Sequence, residues 1–187
     1  MRMNPKDLSR LAQEHASIQK EIDDLTGHKK SPSGTVELDK VIDLIESFDD
    51  CVGYSQNRRS KIIVDTTSED GVQDILYFML KPYIFDLVPE QPNSGETRQY
   101  SIQDFRSRSL KTIIEAKRIR NKSHGKSIKK EINDDIGEYK HDDICENLIV
   151  VIFDPEHYIE FRSGLIRNFD GIHTHGDKRL FVKTIIK

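Results

Sequence analysis

Asp104, Glu115 and Lys117 are the residues of this chain whose types and spacing could do chemistry. Thr112 to Lys117 reads as a buried strand, and side chains at i and i+2 of a strand share one face. Glu115 and Lys117 are therefore neighbours, while Ile114 and Ala116 point the other way. A short connection lets the strand carrying Asp104 pair antiparallel with this one, which can bring a second carboxylate beside Glu115. Two hard oxygen ligands and an ammonium then converge. Such a set suits Mg²⁺, with Mn²⁺ as a substitute: one or two carboxylates bind directly, and waters and phosphate oxygens complete an octahedron. The metal lowers the pKa of a bound water and neutralises charge on a phosphoryl group, and Lys117 would hold the attacking water and stabilise the transition state. The chemistry indicated is phosphodiester hydrolysis. A salt-bridged pair on an edge strand would show the same spacing, since charged residues make up 33% of the chain, so the surrounding sequence has to decide.

The net charge is −3, which is unpromising for a nucleic-acid enzyme until it is mapped. Between Arg106 and Lys130 stand ten basic residues (Arg106, Arg108, Lys111, Lys117, Arg118, Arg120, Lys122, Lys126, Lys129, Lys130) against Glu115 alone. From Glu131 to Glu146 the balance reverses, with seven acids and one lysine. A local basic block beside a carboxylate pair can neutralise phosphates and release counterions. Arg118, Arg120, Lys122, Lys126, Lys129 and Lys130 are the candidate nucleic-acid contacts, the alternative being a solvated charged loop.

The elements that must position these residues follow from periodicity. Leu8, Leu11, His15, Ile18, Ile22 and Leu25 form an a/d seam, so residues 5 to 26 read as an amphipathic helix. Ser31-Pro32-Ser33-Gly34 interrupts it, and Val36 to Phe48 resumes with Leu38, Val41, Ile42, Ile45 and Phe48 on one face. The expected product is an N-terminal helical hairpin over residues 1 to 55. It is too short to stand alone, so it packs on the rest of the chain or pairs with another copy or a partner protein through residues 5 to 48. Ser68 is a good N-cap for a helix whose buried stripe is Val72, Ile75, Leu76, Met79 and Leu80, ended by Pro82. Pro89 to Gly95 reads as a loop, Tyr100 to Phe105 as a strand and Ile128 to Tyr139 as a helix. Asn147 to Phe153 is continuously apolar, which suits a strand covered on both faces. Gly164 to Gly176 reads as loop and a short helix, and Leu180 to Ile186 as the last strand. This order predicts an α/β fold, a mixed central sheet flanked by helices, over residues 56 to 187.

Composition bounds the setting. No apolar run is long enough to span a bilayer, and Cys51 and Cys145 stand outside any metal-ligand spacing, so a soluble protein of a reducing cytoplasm is expected. His173-Thr174-His175 offers no third ligand and reads as polar loop.

Four pieces of this sequence then match a known pattern in order. They are Glu69 followed by Gly71-Val72-Gln73-Asp74-Ile75-Leu76, Val88-Pro89-Glu90, Asp104-Phe105 with Ile113-Ile114-Glu115-Ala116-Lys117, and Val150-Val151-Ile152-Phe153-Asp154-Pro155. From Ser68 onward the chain resembles the PD-(D/E)xK nuclease superfamily, specifically the DpnII/MboI-like restriction-endonuclease domain. The resemblance implies a restriction-endonuclease-like core, with Asp104, Glu115 and the Ala116 carbonyl as metal ligands and Lys117 as the catalytic lysine. Glu69 would be the helix glutamate that approaches the metal, and the later helix with Glu131, Asp135 and Tyr139 would pack nearby. Ile102-Gln103 replaces the Arg and aliphatic residue that the family tends to place before the aspartate. The implied activity is Mg²⁺-dependent endonucleolytic cleavage of DNA, as the effector of a prokaryotic restriction or antiphage system. RNA cleavage by the same centre, or a catalytically silent module that binds nucleic acid or protein, are the alternatives.

Overall fold

Asn147 to Phe153 runs as a strand through the middle of the sheet, and its alternate residues enter opposite cores: Ile149, Val151 and Phe153 one, Leu148, Val150 and Ile152 the other. A strand buried on both faces needs an unbroken apolar run, which is what this segment supplies. A computed structural model describes residues 37–57, 65–92 and 102–187. The elements are α1 (Leu38–Glu46), α2 (Phe48–Gln56), α3 (Glu69–Leu80), β1 (Val88–Pro92), β2 (Ile102–Ser107), β3 (Thr112–Arg118), α4 (Lys122–Tyr139), β4 (Asn147–Phe153), α5 (Arg162–Phe169), β5 (Gly171–His175) and β6 (Lys178–Ile186). The first expected helix, residues 5 to 26, lies outside the described residues. No helix among the described residues is long and apolar enough to cross a membrane.

The sheet is mixed and six-stranded, in the order β1-β2-β3-β4-β6-β5. Pairing is antiparallel at β1–β2, β2–β3 and β5–β6 and parallel at β3–β4 and β4–β6. The α/β architecture expected from the order of elements is the one found. One face is covered by α1, α2 and α3, whose Val41, Ile45, Phe48, Val72, Leu76 and Leu80 are fully buried with Ile114 and Ala116 of β3. Ile128, Ile132 and Ile136 of α4 and Leu165 and Phe169 of α5 cover the other, against Ile113 of β3.

Helices α1 and α2 form one bent rod. At the bend, Ser47 Oγ donates to the Leu44 carbonyl at 2.7 Å, a local bond that competes with helix continuation. The apolar face of α1, offered by the sequence either to the sheet or to another chain, is taken into this core by Val41 and Ile45, and Phe48, the first residue of α2, lies edge-on to Phe153 of β4 with ring centroids 5.4 Å apart.

Elsewhere the structure departs from expectation in three places. Val88–Pro92 is a strand rather than loop, paired with β2 in the register Pro89↔Phe105 and Pro92↔Ile102. Proline masked it, and proline is tolerated here because β1 is the outermost strand. In the stretch expected as loop and short helix, Gly171–His175 is a strand that forms a tight hairpin with β6, His175 opposite Lys178, with Gly176 at φ 57° in the turn. Helix α4 begins at Lys122, six residues earlier than the apolar period indicated, capped by Asn121, whose side chain accepts the His124 N–H at 2.9 Å.

Candidate active site

Strands β2 and β3 pair as Ser107↔Thr112, Arg106↔Ile113 and Phe105↔Ile114. One step further the side chain of Asp104 takes over: its Oδ2 accepts the Ala116 N–H at 2.7 Å. Arg118, two residues on, points its N–H to the same edge of β3, and there Glu69 Oε2 accepts it at 3.2 Å. Two carboxylates from different elements thus dock on successive N–H groups of β3, where its pairing with β2 has ended. Ser68 fixes the first turn of α3 that delivers Glu69, its Oγ accepting the Gly71 N–H at 3.2 Å. One turn further along α3, the side chain of Gln73 also hydrogen-bonds Asp104.

Glu115 and Lys117 project toward α4, as the i, i+2 spacing requires. Glu115 is only 3% exposed. Its Oε1 accepts a hydrogen bond from the Tyr139 hydroxyl, and its Oε2 lies 3.2 Å from Lys117 Nζ. Lys117 Nζ is in turn 3.3 Å from Asp135 Oδ2. Asp135 and Tyr139 stand four apart on α4, so one helix face grips both members of the Glu115–Lys117 pair.

Burial dominates the electrostatics. It raises the Asp104 carboxyl well above its ordinary value; Glu69 adds to the rise, while the Ala116 N–H and Lys117 oppose it. Glu115 is raised by burial and then by Asp104. Burial alone would depress Lys117, but Glu115, Asp135 and Asp104 outweigh it and hold the ammonium above the usual lysine range. Tyr139 is pushed up by burial and by Glu115, so it stays a neutral donor. The result is a pair of carboxyls reluctant to ionise together beside a locked cation.

This donor set fits a hard divalent cation. Asp104 and Glu115 repel each other's charge, the condition that a bound cation relieves, and both are oxygen donors close to the backbone of Ala116. Among the described residues no group of three or more His, Cys, Asp or Glu is placed to hold a metal by itself. Mg²⁺ does not need one, because it keeps several waters and binds through one or two carboxylates.

The basic block is divided by the structure. Arg106 is paired with buried Asp142, Lys111 with Glu146, and Lys117 with Glu115 and Asp135. Arg118 is buried, its guanidinium bonded to Thr66, Ile119 and Glu156. Arg120, Lys122, Lys126, Lys129 and Lys130 are exposed. At about 100° per residue, Lys126 lies about half a turn around α4 from Asp135. With Lys129 it borders a cavity of about 360 Å³ against Tyr158, Phe161 and Leu165. The exposed lysines therefore do not converge on the carboxylates. The face of α4 that carries Asp135 holds Glu131 instead, 3.2 Å from His124 Nε2.

His173 and His175 do not come together on a shared ligand. His173 Nε2 is 2.7 Å from the Phe169 carbonyl, and His175 packs edge-on against His141 at 4.5 Å. Of the groups around the centre, Gln73, Thr66 and Glu156 were missed from the sequence. Gln73 had a signal, since it stands four residues after Glu69 on the same helix face; Thr66 and Glu156 meet β3 only through the tertiary fold.

Compared with known proteins, the chain matches no curated protein and no solved structure. It does match the family model described as REase_DpnII-MboI over residues 41–185, a span that takes in most of α1 as well as every element of the site. The chain belongs to the DpnII-MboI restriction-endonuclease family, a branch of the PD-(D/E)xK superfamily.

Proposed function

We propose that this chain is a Mg²⁺-dependent endonuclease that hydrolyses phosphodiester bonds of DNA, acting in prokaryotic restriction or antiphage defence. The observation that carries the reading is the buried Glu115–Lys117 pair on β3, with Asp104 hydrogen-bonded to the intervening Ala116 N–H. Family membership makes DNA the favoured substrate. Asp104, Glu115 and the Ala116 carbonyl would hold the cation, Mg²⁺ or Mn²⁺, with Glu69 approaching it from α3. When bound, the cation supplies a water of lowered pKa and neutralises charge on the phosphate.

The chain's own groups do the rest. Lys117 is held as a cation, so it serves as a donor: it orients the attacking water and stabilises negative charge growing on the phosphate. Asp135 keeps that ammonium in place when Glu115 turns to the metal. Tyr139 fixes one oxygen of Glu115, so the carboxylate presents a defined edge. Lys122, Lys126, Lys129 and Lys130 on α4, with Arg120 just before it, attract the phosphate backbone away from the carboxylates without sequence preference. Supercoiled plasmid and a structured RNA, each incubated with Mg²⁺ or with EDTA, test the reading. Nicking or linearisation of plasmid in Mg²⁺ alone is expected. Cleavage in EDTA would overturn the metal-dependent centre, and cleavage of RNA in preference to DNA would overturn the substrate.

A further inference from the structure

We infer that Arg118 is the positioning residue for Glu69, fastening the first turn of α3 to the end of β3 instead of contacting nucleic acid; this rests on the reading of Asp104 and Glu115 as a cation site. Arg118 closes β3, opposite Phe153 of β4. Its side chain is 7% exposed, which leaves little of it for a phosphate. The planar guanidinium reaches in three directions. Nε donates to the Thr66 carbonyl at 2.9 Å, Nη2 lies 2.9 Å from Glu156 Oε1, and Nη1 donates to the Ile119 carbonyl. Its Cζ sits 5.3 Å from the centre of the Phe153 ring. Meanwhile its backbone N–H donates to Glu69 Oε2. One residue thus holds the turn before α3 by its side chain and the glutamate after that turn by its backbone.

The turn itself is braced to transmit that hold. Asp65 Oδ1 accepts the Thr67 N–H at 2.9 Å, and Ser68 caps the helix. Gly71 lets the turn fold directly over the first helical residues, since a Cβ there would come within 1.7 Å of the Asp65 carbonyl oxygen. Glu69 is consequently delivered to the open edge of β3, close enough for its charge to raise the Asp104 carboxyl. Only a rigid fork can serve the Thr66 carbonyl and the Glu156 carboxylate at once; a lysine ammonium is a single point on a flexible stem.

The test is a double-mutant cycle on Mn²⁺ affinity, measured calorimetrically on the full chain without substrate: wild type, Arg118→Lys, Glu69→Gln and the double variant. Loss of a residue that orients a metal's surroundings typically weakens affinity about 10-fold or more, and Arg118→Lys is expected to do so. If Arg118 acts through Glu69, the double variant binds no more weakly than Glu69→Gln alone. Affinity for duplex DNA and its salt dependence are expected to stay at wild-type values. Where Arg118→Lys fails to fold, Glu156→Ala removes one partner of the fork at a site 45% exposed, and a smaller weakening that is also absorbed by Glu69→Gln is expected. Unchanged Mn²⁺ affinity in the folded variant, or effects that multiply in the double variant, would overturn the inference. So would a salt slope for DNA binding reduced by about one contact in Arg118→Gln, which carries no charge to neutralise a phosphate; that result would place Arg118 on one. Wild type that binds no Mn²⁺ would overturn the cation site itself, and would do so before any variant is compared.

Discussion

The metal-free protein should lose stability as pH rises from mildly acidic to mildly alkaline, and Glu115→Gln should remove much of that loss. Burial, then the neighbouring Asp104 charge, raises the Glu115 carboxyl, and burial, against the Ala116 N–H and Lys117, raises Asp104 in the same direction. A carboxyl whose folded-state pKa lies above its unfolded value binds more protons in the folded chain than in the unfolded one between those two values. Its stabilising contribution is full below the unfolded value and is lost as pH rises through the folded one. The slope is about 1.4 kcal/mol per pH unit for each extra proton held. For a chain of this length that corresponds to roughly 3 to 6 °C of melting temperature per pH unit. Scanning calorimetry in EDTA from about pH 5 to about pH 8, on wild type and Glu115→Gln, reads it directly. The amide can still accept from Tyr139, and Lys117 keeps Asp135 at 3.3 Å, so the proteins differ chiefly in the titrating group. Asp142 contributes equally to both. Its carboxyl is held below the usual range, against the effect of burial, by the Ile144 and Cys145 N–H groups and Arg106, so its contribution is lost only on acidification. Mg²⁺ should raise the wild-type melting temperature more at the alkaline end than at the acid end. A wild-type melting temperature that is flat or rising over the interval, or a Glu115→Gln protein less stable than wild type at the alkaline end, would refute the reasoning.

Two further outcomes follow from the packing and the charge. Phe48→Ala removes a fully buried ring that packs against Phe153 and should cost about 3–5 kcal/mol in urea unfolding; a cost under about 1 kcal/mol would show that α1 and α2 are not part of the folding core. Replacing Lys126 and Lys129 together by alanine should lower the salt slope of DNA binding by about 2 while leaving the cleavage rate at saturating DNA unchanged, and an unaltered slope would remove this flank from the interface.

How far the sequence was legible depended on whether the decisive interaction was local. Asn147 to Phe153 could be placed to the residue because a doubly covered strand leaves an unmistakable apolar run, and Ser68 because capping is a matter of adjacent residues. Glu115 and Lys117 followed from strand alternation alone. β1 was hidden because its prolines contradict strand propensity and are admitted only by an edge position. The start of α4 was hidden because Lys122 to Ser127 lacks an apolar period. The basic block was read by counting, yet the charges that neutralise Arg106, Lys111 and Arg118 come from Asp142, Glu146 and Glu156, 36, 35 and 38 residues away along the chain. Linear windows cannot pair such groups. Asp104 was placed correctly beside β3, but its bond to the Ala116 N–H, and with it the point where β2 and β3 part, is a property of the folded sheet.

Single-turnover cleavage of duplex DNA in Mg²⁺ by wild type and Lys117→Ala, with affinity for the same duplex measured in Ca²⁺, tests this centre most directly. Loss of a preorganised donor to the transition state lowers the rate by about 10²–10³-fold, and that loss with DNA affinity held within about 3-fold, or about 0.6 kcal/mol, is the expected result. Cleavage by Lys117→Ala at the wild-type rate would contradict the assignment of this centre.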